Sequence, residues 1–297
     1  MRRSSPSADG SVVAVLRAPI ARVLDEADEA AVTRLLATDP VSACVIAGRV
    51  EAAGTAPASL GAPLWGFDGG GDLEAICLAG ANLIPFAVHG AEIPAAAAFA
   101  ERARRAGRRC STIVGPSAAV APLWDLLAPY WGPARDHRPR QPLLAIDGPP
   151  AVAAEPRVRP VRPAELETLL PAAVAMFTEE VGVSPLRVDG GAGYRARVAE
   201  LVRAGQSLAW IEHGEVLFKA EIGAVSRAAC QVQGVWVAPA HRGRGIGTAG
   251  TAAVVEYART TIAPVVSLYV NDFNTTARAA YHRVGFQEVG QYASVLF

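Results

Sequence analysis

A run that reads as a β-strand, Gln231–Val237, leads into the loop Arg242-Gly243-Arg244-Gly245-Ile246-Gly247 and then a helix from about Gly247 to Thr260. This stretch constrains the fold more than any other. A diphosphate needs several donors that converge without steric obstruction. Backbone N–H groups at a helix N-terminus supply them, and the helix dipole adds positive potential. Glycines at 243, 245 and 247 let the backbone approach closely and take positive φ. Arg242 and Arg244 bring charge to the same mouth, Thr248 offers a hydroxyl in the first turn, and Pro239 stops the strand. Strand, anion loop and helix in that order call for an α/β chain.

The rest of the C-terminal part has the same alternation. Arg157–Arg162 reads as a short strand. Helices over about 163–181 and 193–204 follow, broken at Gly182–Pro185. Strands are expected at Ser207–Glu212, Val216–Val225 and Gln231–Val237, the first two joined through His213-Gly214. Beyond the loop and its helix come a strand at Val265–Val270, a helix at Thr275–Val284 and a strand at Phe286–Phe297. The order is β-α-α-β-β-β-α-β-α-β, a mixed α+β sheet.

A chain of 297 residues that is 51% hydrophobic can bury two cores. Residues 148–155, within the Pro/Gly/Ala-rich stretch 147–156, lack apolar periodicity and read as a linker. That divides the chain into a tail at 1–10, expected to be disordered, an N-terminal lobe at 11–147 and a C-terminal lobe at 156–297. The N-terminal lobe ends with strand 82–88, helix 94–106, strand 111–114, helix 118–127 and strand 142–146. This matches the end of the other lobe and suggests an old duplication. Its strand-to-helix passage, His89-Gly90-Ala91-Glu92-Ile93-Pro94, has no arginine and no glycine cluster. A second cradle, if one existed, has been lost.

Composition excludes several classes. The net charge is zero and no basic stripe with aromatics appears, so no nucleic-acid partner is expected. Cys44, Cys77, Cys110 and Cys230 are widely spaced, which suggests neither a disulfide framework nor a metal site. The apolar stretch from Ser11 to Val23 contains Arg17 and Arg22 and does not read as a signal segment. No run of about 18 apolar residues exists, so no membrane partner and a cytoplasmic location are expected. Gly245, Gly247 and Gly250 also satisfy G-x-G-x-x-G. However, Ala238–Arg244 separates them from the strand, and too little chain follows for a doubly wound sheet.

Val235-Trp236-Val237-Ala238-Pro239 followed by Arg242–Gly247 resembles motif A, Q/R-x-x-G-x-G/A, of the GNAT superfamily of N-acetyltransferases. Asn271-Asp272-Phe273-Asn274, Ala277, Ala280-Tyr281 and Gly285-Phe286 resemble its downstream stretch. The resemblance covers roughly 156–297, and the two-lobed arrangement is similar to tandem GNAT proteins with one lobe degenerate. It implies acetyl-CoA as co-substrate, without a metal, and an amine acceptor that attacks directly in a ternary complex. The implied donor site comprises Val235, Trp236, Val237, Arg242, Gly243, Arg244, Gly245, Ile246, Gly247, Thr248, Asn271, Asn274 and Tyr281. Backbone groups of Val235–Val237, freed where the motif A strand splays from the next strand, would pair with the pantetheine arm. One N–H would support the oxyanion, worth ~3 kcal/mol. Tyr281 is the expected general acid toward the thiolate, and Asn274 the expected cap of the following helix.

The motif itself supplies no base. The strand position where many relatives carry a glutamate falls near Gln231, and glutamine cannot serve. On the neighbouring strand Glu221 shares a face with Lys219, the only lysine. Glu221 is the candidate base, against the alternative of a solvated Lys–Glu pair. Glu179 and Glu180, with Gln231 and Gln233, are candidates for the acceptor pocket. His213 and His241 are expected to be exposed and without a role. A cradle without a base would instead suit an acyl-CoA-binding regulatory protein or a partner-binding scaffold.

Overall fold

The computed structural model describes residues 20–187 and 189–297. The tail expected over 1–10 lies outside them. The N-terminal half runs β1 (Arg22–Val23), α1 (Glu29–Leu36), α2 (Cys44–Ala53), α3 (Pro57–Leu60), β2 (Leu64–Gly69), β3 (Asp72–Ala79), β4 (Asn82–Ala87), α4 (Glu92–Ala106), β5 (Thr112–Pro116), α5 (Ser117–Trp131) and β6 (Asp136–Ile146). The C-terminal half runs β7 (Arg159–Pro160), α6 (Leu166–Val181), α7 (Ala192–Arg203), β8 (Ser207–Glu212), β9 (Glu215–Val225), β10 (Ala229–Val237), α8 (Ile246–Thr261), β11 (Val265–Tyr269), α9 (Thr275–Val284) and β12 (Gln287–Leu296). Apart from the short α3, the two halves repeat one order of elements.

All strands join one mixed sheet, ordered β1-β2-β3-β4-β5-β12-β6-β11-β10-β9-β8-β7. Parallel pairing occurs at β4–β5 and β10–β11. The centre is where the halves meet, and their last strands are exchanged there. β12 lies antiparallel between β5 and β6, while β6 lies antiparallel between β12 and β11. Packing follows the exchange. Leu144 and Ile146 of β6 are buried in the core that contains Phe218, Val254 and Phe286. Ala293 and Val295 of β12 are buried in the core that contains Phe99, Leu123 and Trp124. Each lobe is thus completed by a strand of the other.

The connecting segment is laid down on the C-terminal half. Ala151 N–H donates to Val284 O (2.8 Å) and Glu155 N–H to Ala249 O (3.0 Å), and Val152 and Ala154 pack on its core. Across the lobes, the Cys44 thiol donates to Ala229 O (3.2 Å). At Gly48 a Cβ would sit 1.9 Å from Val225 O, so only glycine permits α2 to lie this close to β9.

The exchange makes a testable demand. Residues 148–297 alone lack β6, so β11 becomes an open edge and β12 loses both neighbours. Open edges of that kind pair with other chains. The fragment is expected to self-associate in sedimentation velocity rather than give a stable monomer. A monomer melting cooperatively near the full chain's temperature would contradict the exchange.

Candidate functional site

β10 creates the site by parting from one neighbour. It pairs with β9 along its length, but with β11 only at Ala229↔Val265, Cys230↔Val266 and Gln231↔Ser267. Beyond Gln231 its β11-facing edge is unpaired. The β9 register shifts between Gln233 and Trp236, with Gly234 at φ +57°. A Cβ there would stand 2.7 Å from Met176 Cε and 3.2 Å from Lys219 Nζ. The bulge therefore depends on a glycine, and it turns the Val235–Val237 backbone toward the gap.

A turn at Pro239–His241 leads into the glycine loop. Gly243 (φ +75°) and Gly245 (φ +81°, the N-cap of α8) take left-handed backbone. A Cβ at either would meet no protein atom within 4 Å, so the conformation rather than packing selects glycine and leaves the loop open. Ala249 N–H reaches back to Gly245 O (3.0 Å) as the first bond of α8. The N–H groups ahead of it form the anion-binding end of the helix.

Bulge, loop and α9 enclose a cavity of about 510 Å³. Val235, Trp236, Val237, Arg242, Gly243, Gly245, Ile246, Gly247, Thr248, Asn274 and Tyr281 line it, as do Glu179 and His241. Asn274 caps α9 by accepting from Ala277 N–H (3.1 Å). Thr276, Ala277, Ala280 and Arg283 of α9, with Thr251 of α8, complete the wall. Ala277 and Ala280 belong to the motif resemblance without being candidate site residues; helical spacing puts Ala277 on the face of Tyr281 and Thr251 on the face of Gly247. Burial, and secondarily the charge of Glu180, pushes the Tyr281 phenol well up, which keeps it protonated.

Several expected residues take other places. Arg244 and Asn271 are not in the cavity lining; Asn271 is buried and bonded to Gln141 and Glu180. His241 is half-buried at the cavity, not free in solvent, whereas His213 is exposed in its turn. Glu179 stands with the cradle. It accepts from Trp236 Nε1 (3.1 Å) and Arg242 Nη2 (2.8 Å), while Arg242 Nε donates to Val237 O (3.0 Å). Glu221 is held by Lys219, whose side chain is completely buried, so the pair is not solvated. Lys219 Nζ and Met176 of α6 both stand next to Gly234, and Ala209, which pairs with Lys219, is buried with Leu169 of α6 and Val198 of α7, so this face of β9 is covered. Gln231 is buried and accepts from Gln233 Nε2 (3.0 Å), with its own amide nitrogen unpartnered.

The equivalent place in the other lobe differs in two ways. β4 pairs with β3 without a register shift, so no bulge forms. At the start of α4, Gly90 N–H donates to the Glu92 carboxylate (2.7 Å). A carboxylate in that position satisfies the helix end and repels phosphate. The four cysteines are buried thiols, with burial pushing Cys44 up to about 11 and Cys230 up to about 12. Among the described residues, no cluster of three or more His, Cys, Asp or Glu could hold a metal. None of the helices there is long and apolar enough to cross a membrane.

Comparison with known proteins agrees with this architecture. Residues 192–286 match the acetyltransferase (GNAT) family. Residues 62–169 match a domain of unknown function, DUF4081. No curated protein matches the chain. Among solved structures, a Drosophila melanogaster protein is similar at 14% identity, covering 94% of this chain and 99% of its own, with a TM-score of 0.63. A GCN5-related N-acetyltransferase from Sphaerobacter thermophilus shares 18% identity over 93% and 94% of the two chains (TM-score 0.53). A GNAT-family acetyltransferase from Colwellia psychrerythraea shares 13% over 93% and 99% (TM-score 0.51). These likenesses extend over both lobes and concern the fold.

Proposed function

We propose that the chain is an N-acetyltransferase that moves an acetyl group from acetyl-CoA to an amine by direct attack. The observation that carries this reading is one cavity bounded by the β10 bulge, the N-terminal end of α8 and Tyr281. Open N–H groups at the loop, with Arg242 beside them, fit a diphosphate. The unpaired edge of β10 fits an extended amide-bearing arm, which would add to it as a strand does. A backbone N–H near the bulge polarises the thioester carbonyl. The C–N bond forms as the C–S bond breaks; Tyr281 donates its proton to the departing sulfur, and the proton lost by the amine nitrogen returns to the tyrosinate through water. The four thiols are buried and lie outside the cavity lining, so no acyl-enzyme is invoked.

Gly245→Val tests the donor site. Valine is strained at φ +81°, and its side chain projects into open cavity space rather than into protein. Losing two charge-assisted hydrogen bonds to phosphate would weaken acetyl-CoA binding about 100-fold in calorimetry. Cooperative unfolding should remain. Unchanged affinity would refute the cradle. CoA release across an amine panel tests turnover; binding without release for any amine would favour a regulatory acyl-CoA binder.

A further inference from the structure

The N-terminal lobe has no cradle of its own, yet its exchanged strand reaches Glu180, the neighbour in sequence of the cavity-lining Glu179. Arg138 of β6 donates from Nη1 to Glu180 Oε1 (2.7 Å) and from Nη2 to the Glu180 carbonyl (2.6 Å). Arg138 Nε is in turn held by Asp136 (2.7 Å). Asn271 Nδ2 donates to the same Glu180 Oε1 (3.2 Å). Asn271 accepts from Gln141 Nε2 (2.9 Å), and Gln141 accepts from Ser294 Oγ of β12 (2.6 Å). Gln141, Asn271 and Ser294 are all buried. Both exchanged strands therefore fix one oxygen of one carboxylate through a satisfied buried network. Such a network orients its end group rigidly.

The other oxygen, Glu180 Oε2, is engaged by none of these donors, and the side chain is 51% exposed. It is the best-placed carboxylate in this region with an oxygen to spare. Both oxygens of Glu179 are taken by Trp236 and Arg242. Glu221 is locked to the buried Lys219. Glu180 is not itself in the cavity lining, but it follows the lining residue Glu179 and is bonded to Asn271, two residues beyond the end of β11. After burial itself, its charge is what raises the phenols of Tyr281, on the cavity wall, and Tyr269, on the strand β10 leaves.

We propose that Glu180 is the acceptor-binding residue, its free oxygen receiving a cationic primary amine at the junction of the lobes, with Arg138 of the N-terminal lobe as its positioning residue. This rests on the donor-site reading above and deepens it. It assigns the degenerate lobe a task, which is to supply the strand that aims the carboxylate. It also sets the acceptor class. An ammonium gains an ion-paired hydrogen bond at Oε2, a neutral nucleophile a weaker one, and an anionic nucleophile is repelled.

The test needs no knowledge of the natural acceptor. CoA thioethers ending in an ω-amine, in graded chain lengths, are compared by calorimetry with methyl-ended thioethers of equal length. The wild type is expected to prefer the best-fitting amine about tenfold or more, the size of one charged hydrogen bond. Glu180→Gln should abolish that preference while leaving methyl-thioether affinity unchanged. Arg138→Met should reduce it several-fold and Arg138→Lys restore part, a split that a merely structural arginine would not produce. Equal affinities at every length in the wild type, or a preference surviving Glu180→Gln, would overturn the proposal. Failure of both thioether series to bind would instead overturn the donor site, and this proposal with it.

Discussion

Tyr281→Phe should lower kcat by about 10²–10³-fold and leave acetyl-CoA affinity within about twofold. The split follows from what the hydroxyl touches. The ring is buried on α9 and packs edge-on against Phe286 at 6.0 Å, and phenylalanine keeps those contacts. The hydroxyl makes no hydrogen bond to protein among the described residues, so its removal leaves no partner unsatisfied. What is lost is a proton donor on the cavity wall. With its pKa pushed up by burial and Glu180, the phenol remains protonated across any ordinary assay range. The alkaline limb of a pH–rate profile should therefore not come from Tyr281. Rapid-quench measurement of CoA release, alongside calorimetric binding, reads both quantities; an undiminished kcat would remove Tyr281 from the reaction.

The glycine loop was legible in the sequence because the geometry of a helix start is local. Glycines, a following helix and flanking arginines lie within a few residues of one another. Asn274 and Tyr281 were legible for the same reason, as positions on one short helix. The strand exchange left no such trace. β12 alternates in the same way whether its neighbours come from its own lobe or the other, so periodicity shows that it is a strand and not where it pairs. Pro139 and Pro142 also hid the first half of β6, which begins at Asp136 rather than at 142. The hairpin of β2 and β3 was passed over, though Gly70-Gly71 between apolar runs marks it.

The acceptor side was harder to read because its residues diverge in space. Glu179 and Glu180 are consecutive, yet successive helix positions point about 100° apart. One turns to Arg242 and the cradle, the other to Arg138 and the junction. Only the strand carrying Arg138 decides between them, and that strand belongs to the other lobe. The same exchange that escapes sequence reading thus supplies the group that orients the candidate acceptor carboxylate.

Lys219→Met is expected to destabilise the protein by about 3–5 kcal/mol, most of which Lys219→Met with Glu221→Leu should recover. The asymmetry comes from burial. Lys219 is fully buried and the Glu221 side chain is only 13% exposed. Removing the ammonium alone leaves a carboxylate beneath α6 and α7 without its counter-charge. Removing both charges leaves an apolar pair beside Met176 and the surrounding core, and such replacements are often neutral or stabilising. Urea denaturation of both single variants and the double variant measures the coupling. A double variant as unstable as Lys219→Met would mean that packing against the Gly234 bulge, and not charge compensation, is the lysine's contribution. Donor affinity in the double variant separates the two further. Since Nζ lies next to Gly234, full recovery of stability with acetyl-CoA binding still impaired would show that the lysine also shapes the bulge from which Val235–Val237 face the cavity.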